Sequence, residues 1–365
     1  NLHKKPSGVW IMAYTDIDKP SDYFNTVLYT GTSADNRAVT GVGFQPDFLW
    51  IKDRTSAFSH ALFDSVRGSS KMLVTQGTEA EQTDAGSGGL TSFDTDGFTT
   101  DAGSGGNPYR NTNQSGDAYA SWNWKAGTSF TNDASATGIG TIDSTGSASD
   151  ASGFSIVSYT GTGSAGTIKH GLSATANFMI IKNRDAARSW NVYFGDQTKY
   201  MYLNDTSAQA DAGTIIWNNT APTSSVFSIG TDNGVNQSGE KYIAYVFSQK
   251  QGYSKFGSYT GNGSANGPFN YLGFKPAWLV IKRTDSTGNW HMFDNKRNPH
   301  NVVGQNLYAN ITQVEGTDNT CDFLSNGFKL TASSNSRNGS GNSYIYMAFA
   351  ENPFVTSTGV PATAR

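Results

Sequence analysis

The sequence predicts an all-β protein built from three tandem antiparallel β-sandwich modules of jelly-roll or lectin-like type. The first observation is a repeat. Tyr-Thr-Gly begins at Tyr29, Tyr159 and Tyr259, and at the same distance from each Tyr a run of four apolar residues ends in Lys52, Lys182 or Lys282. The second is composition: Gly supplies 41 of 365 residues, aromatic residues 13% and charged residues 15%. Short apolar runs between Gly-, Asn- and Ser-rich segments are typical of all-β proteins with many tight turns.

The repeats also set the module boundaries. Near the end of each copy a Gly stands three residues before a Tyr that begins an aromatic-rich run; the pairs are Gly116 and Tyr119, Gly239 and Tyr242, and Gly341 and Tyr344. We therefore assign module one to residues 23–127, module two to 152–250 and module three to 251–351. A period of about 100 residues has the size of a small domain and exceeds the roughly 20–50 residues of solenoid repeats.

Within each module the apolar runs define the central strand. Residues 1–22 are a lead with a strand-like segment at 9–14, and module one then opens with a strand at 27–29. The apolar runs at 48–51, 178–181 and 278–281 are too short for helices and are predicted to be strands covered on both faces. The Lys after each run is expected at the strand exit, where its ammonium reaches water. Penultimate strands are expected at 97–98, 226–227 and 327–328.

The segments between and after the modules differ from them in composition. Residues 128–151 are rich in Ser, Thr, Ala and Gly, and Ile139 and Ile142 are their only aliphatic residues larger than Ala. We therefore predict a low-complexity linker or extended arm between modules one and two. Modules two and three are joined by only a few residues and are expected to pack against each other. Residues 352–365 are predicted to be a polar C-terminal tail.

Composition excludes several classes of function. The net charge is −3 and the sequence pI about 6.0, which argues against nucleic-acid binding because no basic stripe exists to neutralise phosphates. No apolar run approaches the roughly 18 residues that a membrane-spanning helix needs, so no membrane insertion is expected. Cys321 is the only cysteine and can form no intrachain disulfide. The first residue is Asn1 rather than Met, as in a processed or incomplete chain.

Three short motifs resemble ligand sites and are better explained as loops. Residues 161–166 match G-x-G-x-x-G, but no helix start follows, so a hairpin loop is favoured over a dinucleotide site. Residues 94–97 (Asp-Thr-Asp-Gly) resemble the start of a calcium loop, but Gly105 stands where the last ligand should be Glu. The duplicate segments 83–89 and 100–106 indicate a flexible loop or, alternatively, a distorted calcium site. The five histidines have no metal-binding spacing, and we predict no metal, no cofactor and no catalytic residues.

One position in each repeat is a candidate for ligand binding. His60, Trp190 and Trp290 stand eight residues after the Lys of their repeat. An exposed aromatic ring there could stack on a sugar, whereas a core or interface position would use the large apolar area of the ring. Tyr109 and Arg110, in the long segment 76–110 of module one, are further candidates.

An Asp–Arg pattern distinguishes the repeats. Asp64 and Asp294 are each followed three residues later by Arg67 or Arg297, but repeat two has Phe194 and Gln197 at these positions. A structural Asp–Arg pair within a turn is favoured over a catalytic carboxylate.

The motifs together resemble a known group of phage proteins. The chain carries the repeated Tyr-Thr-Gly, a Phe-x-Pro before a strand that ends in Ile-Lys, the segment 22–31 (DYFNTVLYTG) and the terminal segment 344–354 (YIYMAFAENPF). It resembles uncharacterised virion structural or tail-fibre-type proteins of aquatic tailed bacteriophages from about residue 16 to residue 355. The resemblance implies a β-rich, extracellular particle component, with receptor binding as one role.

We therefore expect a non-enzymatic virion protein, with a tail-fibre or receptor-binding component that attaches to host surface glycans as the first hypothesis. A capsid or tail decoration or cement protein is the alternative. A glycan-degrading tailspike is a weaker one, since it needs two carboxyl groups about 5–9.5 Å apart. The expected partners are other virion proteins and a host glycan, with no nucleic acid. A homo-oligomer is expected, a trimer if the protein is a fibre.

Overall fold

The computed structural model describes residues 2–4, 10–12, 14–83, 89–102 and 111–362. The lead has strands β1 (Leu2–Lys4) and β2 (Trp10–Met12), which pair antiparallel, and a 3-10 helix at Pro20–Asp22. Module one has β3 (Phe24–Thr30), β4 (Arg37–Thr40), β5 (Phe48–Asp53), β6 (Ala61–Asp64), β7 (Lys71–Met72), β8 (Gln82–Thr83), β9 (Gly89–Asp94), β10 (Gly97–Asp101) and β11 (Ala118–Trp124). Between modules one and two lie β12 (Thr128–Asn132), α1 (Ala134–Thr137) and β13 (Ser144–Ser149).

Module two has β14 (Phe154–Thr160), β15 (Gly166–Lys169), β16 (Phe178–Asn183), β17 (Asn191–Tyr193), β18 (Lys199–Tyr202), β19 (Ala210–Asp211), β20 (Val226–Ile229), α2 (Asn233–Asn236) and β21 (Lys241–Phe247). Module three has β22 (Ser254–Thr260), β23 (Phe269–Tyr271), β24 (Phe274–Arg283), β25 (Trp290–Asp294), β26 (Val303–Tyr308), β27 (Gly316–Leu324), β28 (Gly327–Leu330) and β29 (Ser343–Pro353). The prediction of an all-β fold of antiparallel β-sandwich modules is confirmed, and β10, β20 and β28 begin at the predicted penultimate strands.

Each module contains the same four-stranded antiparallel sheet. Its order is the Tyr-Thr-Gly strand, the closing strand, the apolar run and the strand after it: β3-β11-β5-β6, β14-β21-β16-β17 and β22-β29-β24-β25. The penultimate strand belongs to a second layer that covers one face of this sheet, paired as β4-β10-β9, β15-β20 and β27-β28-β23. Residues 161–165 connect β14 to β15 and are followed by a strand, so they lack the helix that a dinucleotide site requires.

The apolar runs are buried on both faces, as predicted. In β5 every residue is buried; Leu49 and Ile51 point into the core of the module-one sandwich, whereas Phe48 and Trp50 point to the opposite face. On that opposite face the three modules share one cluster, which we call the central core. It contains Trp124, Phe247 and Phe349, which occupy the same position in the three closing strands. Because side chains alternate across a strand, each run serves its own sandwich and the central core at once.

Tyr-Thr-Gly is part of a lock that joins the opening strand to the closing strand. Tyr29 stacks on Tyr119 with ring centroids 5.1 Å apart, and the corresponding tyrosine pairs of modules two and three stack at 5.1 and 5.0 Å. The Gly of the motif must lack a side chain, because a Cβ on Gly31 would lie 2.1 Å from the carbonyl oxygen of Gln114. Gly116 N–H then donates to Gly31 O, and Gly116 has a φ of +83°, a conformation that favours glycine.

A buried asparagine completes the lock in each module. Asn113, Asn236 and Asn338 are fully buried and occupy the same position. Asn236 Oδ1 accepts the N–H of Thr162 at 2.8 Å, and its Nδ2 donates to the carbonyl oxygens of Ser164 and Gly230 at 2.7 Å each. The triplicated motif therefore has a structural role: it satisfies buried backbone groups where two strands end, and such groups are costly when unpaired.

The segment predicted to be a low-complexity linker, 128–151, is instead part of the sheet of module two. β12 pairs with β13, and β13 pairs with β14 from Ser144 opposite Tyr159 to Ser149 opposite Phe154. The strand pairing requires a residue without a side chain at position 146, because a Cβ on Gly146 would lie 2.1 Å from the carbonyl oxygen of Ile156. The low-complexity composition reflects close strand packing, which a reading of composition as flexibility missed.

The three modules form a closed ring around the central core. Backbone hydrogen bonds of the same kind join each neighbouring pair: Glu81 N–H donates to Arg184 O, Gln209 N–H to Thr284 O, and Glu315 N–H to Arg54 O. We call these contacts the 1–2, 2–3 and 3–1 interfaces. Modules two and three therefore pack against each other as expected, and module three also closes onto module one, so the modules have an approximate threefold arrangement within one chain.

Candidate functional site

The three candidate aromatic positions lie in the ring interfaces and are buried. Trp190 and Trp290 are 0% and 1% exposed. Trp190 Nε1 donates to the carbonyl oxygen of Val74 in module one, and Trp290 Nε1 donates to that of Tyr202 in module two, each at 2.9 Å. The rings therefore offer no face to a sugar, and the interface alternative describes both positions.

His60 makes the third of these cyclic contacts. Trp50 Nε1 donates to His60 Nδ1 at 2.8 Å, so the ring proton lies on Nε2, which donates to Tyr308 O in module three at 2.8 Å. Burial, aided by the charge of Lys52, lowers the pKa of His60 to about 3. The imidazole is therefore neutral and acts as a single N–H donor, like the two indoles.

The Asp–Arg pair of module one is the centre of an ion-pair network at the 1–2 interface. Arg67 Nε lies 2.5 Å from Asp64 Oδ2, and both side chains are fully buried. Arg67 also reaches Glu81, which pairs with Arg184 of module two through two bonds at 2.8 and 3.1 Å. Tyr245 of module two donates its hydroxyl to Asp64 at 2.7 Å. The Asp–Arg pair is therefore structural, and it belongs to a network of ion pairs and hydrogen bonds that joins two modules.

The 3–1 interface repeats this network with equivalent residues. Arg297 Nε lies 2.5 Å from Asp294 Oδ2, and Arg297 also contacts Glu315 at 3.0 Å. Arg54 of module one binds Glu315 through two bonds at 2.8 and 3.0 Å. Trp122 Nε1 of module one donates to Asp294 at 3.0 Å, in the place of the tyrosine hydroxyl at the 1–2 interface.

The 2–3 interface lacks every charged member of this network. Its equivalent positions hold Phe194, Gln197, Gln209, Thr284 and Met347. Phe194 is partly buried and packs against the central core, which includes Met347. A groove of about 520 Å³ lies between the two modules, and Phe194, Gln209 and Thr284 are among its lining residues. We call it the 2–3 groove.

The 2–3 groove is lined mainly by polar groups over an apolar base. Phe194 and Ile345 supply apolar surface, and Gln209, Ser258, Thr260 and Ser343 supply an amide and hydroxyls. Asp196, which accepts hydrogen bonds from the N–H and hydroxyl of Thr198, is the only charged side chain among the groove-lining residues described. Such a mixture of apolar surface and a few polar groups is typical of small-molecule sites.

The lysines that end the apolar runs are buried, so the expectation that their ammonium groups reach water is wrong. Lys52, Lys182 and Lys282 are all 0% exposed. Lys182 Nζ donates to Thr78 O of module one at 3.2 Å, and Lys282 Nζ donates to Ser207 O of module two at 2.9 Å. Burial lowers the pKa of each of the three lysines to about 8. Two of them therefore serve as interface donors to backbone carbonyls.

The sequence candidates Tyr109 and Arg110 lie outside the described residues, as do most of the duplicate segments 83–89 and 100–106. Of the Asp-Thr-Asp-Gly motif, Asp96 accepts the N–H groups of Gly41 and Gly43 at 3.2 and 2.6 Å. Its carboxylate thus binds a backbone turn. Among the described residues, no group of three or more His, Cys, Asp or Glu side chains is placed to hold a metal ion, and no helix is long and apolar enough to cross a membrane.

Two carboxyl groups are buried near the end of β5. Burial raises the pKa of Asp53, and the carboxyl group of Asp117 raises it further, whereas the N–H groups of Ser56 and Thr55 lower it. Asp53 Oδ2 and Asp117 Oδ2 each lack a hydrogen-bond partner among the described residues. Asp53 Oδ1 accepts the N–H groups of Thr55 and Ser56 at 2.8 and 2.7 Å, so this carboxyl group binds a backbone turn.

Sequence reasoning missed an exposed aromatic pair on the edge strand β23. Phe269 and Tyr271 are 45% and 49% exposed, whereas Asn270 between them is buried. Residues i and i+2 of a strand point to the same side, about 7 Å apart. Lys255 Nζ lies 5.3 Å from the Tyr271 ring centroid and donates to Tyr271 O at 2.7 Å. We call this surface the aromatic platform; the alternation Phe-Asn-Tyr was its signal in the sequence.

The platform is fixed in place by its neighbours. Tyr14 of the lead donates its hydroxyl to Gly273 O at 2.9 Å and lies 3.1 Å from the hydroxyl of Tyr271. The Phe269 ring lies over Gly327, where an added Cβ would come within 3.0 Å of it. β23 therefore presents two held rings, whereas the corresponding strands β4 and β15 contain no aromatic residue.

Comparison with protein families identifies the family of the chain. A family profile described as a domain of unknown function (DUF7483) matches residues 19–353, which covers all three modules. A comparison with curated proteins gives no match.

Proposed function

The chain belongs to the DUF7483 family, and we propose that it is a non-enzymatic protein of a tailed-bacteriophage particle that attaches to host surface glycans, as a tail-fibre or receptor-binding component. The virion assignment is supported by the sequence resemblance described above. The glycan assignment is supported chiefly by the aromatic platform of module three.

The platform has the chemistry that sugars require. Large exposed aromatic surface is unfavourable in water, and an exposed apolar patch with polar neighbours is a common sign of a binding site. The faces of Phe269 and Tyr271 can cover the C–H face of a pyranose ring, while the ammonium of Lys255 and the hydroxyl of Tyr14 can bind its hydroxyls. Since both rings are held by neighbouring groups, little conformational entropy is lost when a ligand binds.

A capsid or tail decoration protein is the second candidate, and the outer edge of β22, with which no described strand pairs, favours it. Residues 254–260 occupy the position of β14, whose outer edge is covered by β13. Ser258 is exposed, whereas its counterpart Ser158 is half-buried. An open sheet edge can pair with a strand of another polypeptide. This candidate places the chain against other virion subunits.

The glycan proposal is tested by glycan-array binding and by competition of the soluble protein with phage adsorption. The wild-type protein should bind a subset of glycans and reduce adsorption, and the Phe269→Ala/Tyr271→Ala variant should lose binding to part of that subset and compete less with adsorption. Because both side chains are about half exposed, the variant should keep the unfolding midpoint of the wild type. A matched control is Ile215→Ala, which removes another exposed apolar side chain far along the sequence in module two.

The results also separate the candidates. An array pattern that is the same in the platform variant and the wild type would move the site away from β23. No array signal, together with adsorption unaffected by the soluble protein, would overturn the glycan proposal. Imaging of intact particles would then decide for decoration if the outer faces of the modules lie against other subunits.

A further inference from the structure

The 2–3 groove lies where the repeated ion-pair network is interrupted. At the 1–2 interface, the side chain of Arg184 lies over Ser158, with Nη1 3.5 Å from its hydroxyl, and pairs with Glu81. At the 2–3 interface the equivalent positions are Thr284, Ser258 and Gln209. The backbone contact is unchanged, since Gln209 N–H donates to Thr284 O at 2.9 Å and Glu81 N–H to Arg184 O at 2.8 Å. The 2–3 interface thus keeps the backbone contact, while its charged side chains are replaced and no described strand equivalent to β13 pairs with β22.

These changes occur together at one interface. A single loss of charge in the network would leave a buried ion without its partner, which is strongly unfavourable. Here the buried acid, both arginines and the bridging Glu are all replaced, and Phe194 and Met347 supply apolar contact instead. At the 2–3 interface, apolar contacts therefore take the place of the ion pairs, and no member of the network remains as a buried charge without its partner.

We propose that the 2–3 groove binds a neutral sugar unit of a glycan, as a second site distinct from the aromatic platform. The class of ligand rests on the proposed function. A groove of about 520 Å³ lies within the roughly 300–1,000 Å³ of small-molecule sites and can hold one or two sugar rings. Phe194 and Ile345 form an apolar base for a C–H face.

The polar rim defines the kind of sugar. The amide of Gln209 and the hydroxyls of Ser258 and Thr260 make no side-chain hydrogen bonds to other described residues, so they are available to a polyhydroxyl ligand. The carboxylate of Asp196 can accept from sugar hydroxyls, and it disfavours an acidic sugar through charge repulsion. Neutral hexoses and N-acetylhexosamines fit this rim.

The experiment rebuilds the missing network. Gln209→Glu/Thr284→Arg recreates the pair seen at Arg184 and Glu81 and fills the groove. Ligand-observed saturation-transfer NMR with neutral hexoses and N-acetylhexosamines is run on the Phe269→Ala/Tyr271→Ala protein, so that the platform contributes no signal, and should give signal for at least one sugar. The signal should fall at least tenfold when Gln209→Glu/Thr284→Arg is added to this protein, while the unfolding midpoint stays equal or rises.

A second variant tests the groove independently, in case the first variant misfolds. Ser258→Leu fills the groove from another side, and module one already carries Leu28 at the equivalent position. It should also abolish the signal, whereas the Phe269→Ala/Tyr271→Ala variant should retain a groove signal.

Each result decides one claim. Sugar signal that persists when either groove change is added to the Phe269→Ala/Tyr271→Ala protein would overturn the groove site and leave the platform proposal intact. No sugar signal from the Phe269→Ala/Tyr271→Ala protein, with a positive glycan array for the wild type, would have the same meaning. A negative array together with no sugar signal would overturn the proposed function as well.

Discussion

Glu81 links two arginines across the 1–2 interface, so neutralising it tests the network directly. Its side chain is 10% exposed and that of Arg184 15%, whereas Arg67 is fully buried. The Glu81→Gln variant keeps the size and shape but removes the shared negative charge, and its amide N–H₂ opposes guanidinium donors. Breaking a buried ion pair from one side costs about 3–5 kcal/mol. Because the site is slightly exposed and Arg67 keeps Asp64, we expect a loss of about 3 kcal/mol.

The assay is urea-induced unfolding at pH 7, followed by tryptophan fluorescence, with the slope of the transition compared between variants. Burial alone would raise the pKa of Glu81, but Arg184 and Arg67 outweigh it and hold the pKa below its usual value of 4.5. A carboxylate with a lowered folded pKa stabilises above the unfolded pKa, and this stabilisation is lost as pH falls. The difference between variant and wild type should therefore shrink below about pH 4.5.

The control is Asp211→Asn, which breaks the exposed pair of Lys199 and Asp211 and should leave stability unchanged, as exposed pairs contribute little. A Glu81→Gln loss no larger than that of the control, or a loss independent of pH, would refute the reasoning.

Three further predictions concern the ring and the locks. Trp290→Phe leaves the buried carbonyl of Tyr202 without its donor and should cost about 2 kcal/mol in urea unfolding; a neutral effect would show that this bond does not hold the 2–3 interface. Asn236→Ala unpairs three backbone groups and should cost about 3 kcal/mol, with amide exchange of Thr162 accelerated; unchanged exchange would contradict the lock. A lysine whose folded pKa is lowered to about 8 takes up a proton on unfolding between about pH 8 and 10.5, so stability rises with pH there, by about 1.4 kcal/mol per unit for each lysine. Lys182→Met should reduce that slope between pH 8 and 10 by about one proton's contribution, and an unchanged slope would mean that Lys182 is not the titrating group.

The sequence was informative about strands because strand signals are local. The apolar runs, the Tyr-Thr-Gly motif and the Gly-Phe or Val-Phe starts of the penultimate strands each lie within a few residues, and periodicity is enough to assign them. The same reasoning fails at residues 128–151, where the Ser- and Gly-rich composition predicts a flexible linker. There, the close approach of Gly146 to Ile156 depends on a strand pairing that composition cannot show.

The contacts that close the ring could not be predicted, because the groups that accept these hydrogen bonds have no signal in the sequence. Trp190 and Trp290 bind backbone carbonyls, which any residue can supply. Part of the ion-pair network has a signal in the sequence. Arg54 and Arg184 stand two residues after the Lys of repeats one and two, and Thr284 occupies this position in repeat three. Thr284 faces module two, whose repeat lacks the Asp–Arg pair. The bridging acids Glu81 and Glu315 stand at different spacings, since the loops before them differ in length, so repeat comparison alone could not align them.

Covalent triplication explains why one interface can differ from the other two. In a homotrimer of a single module, Phe194, Gln209 and Thr284 would appear at all three interfaces or at none, because the interfaces are related by symmetry. A single chain removes this constraint, and the 1–2 and 3–1 interfaces can keep their buried ion pairs while the 2–3 interface loses its own. The stability of the ring then resides in two polar interfaces and the shared central core. The third interface is left free to change, which is why a groove between modules two and three is the place where a new ligand site can arise without opening the ring.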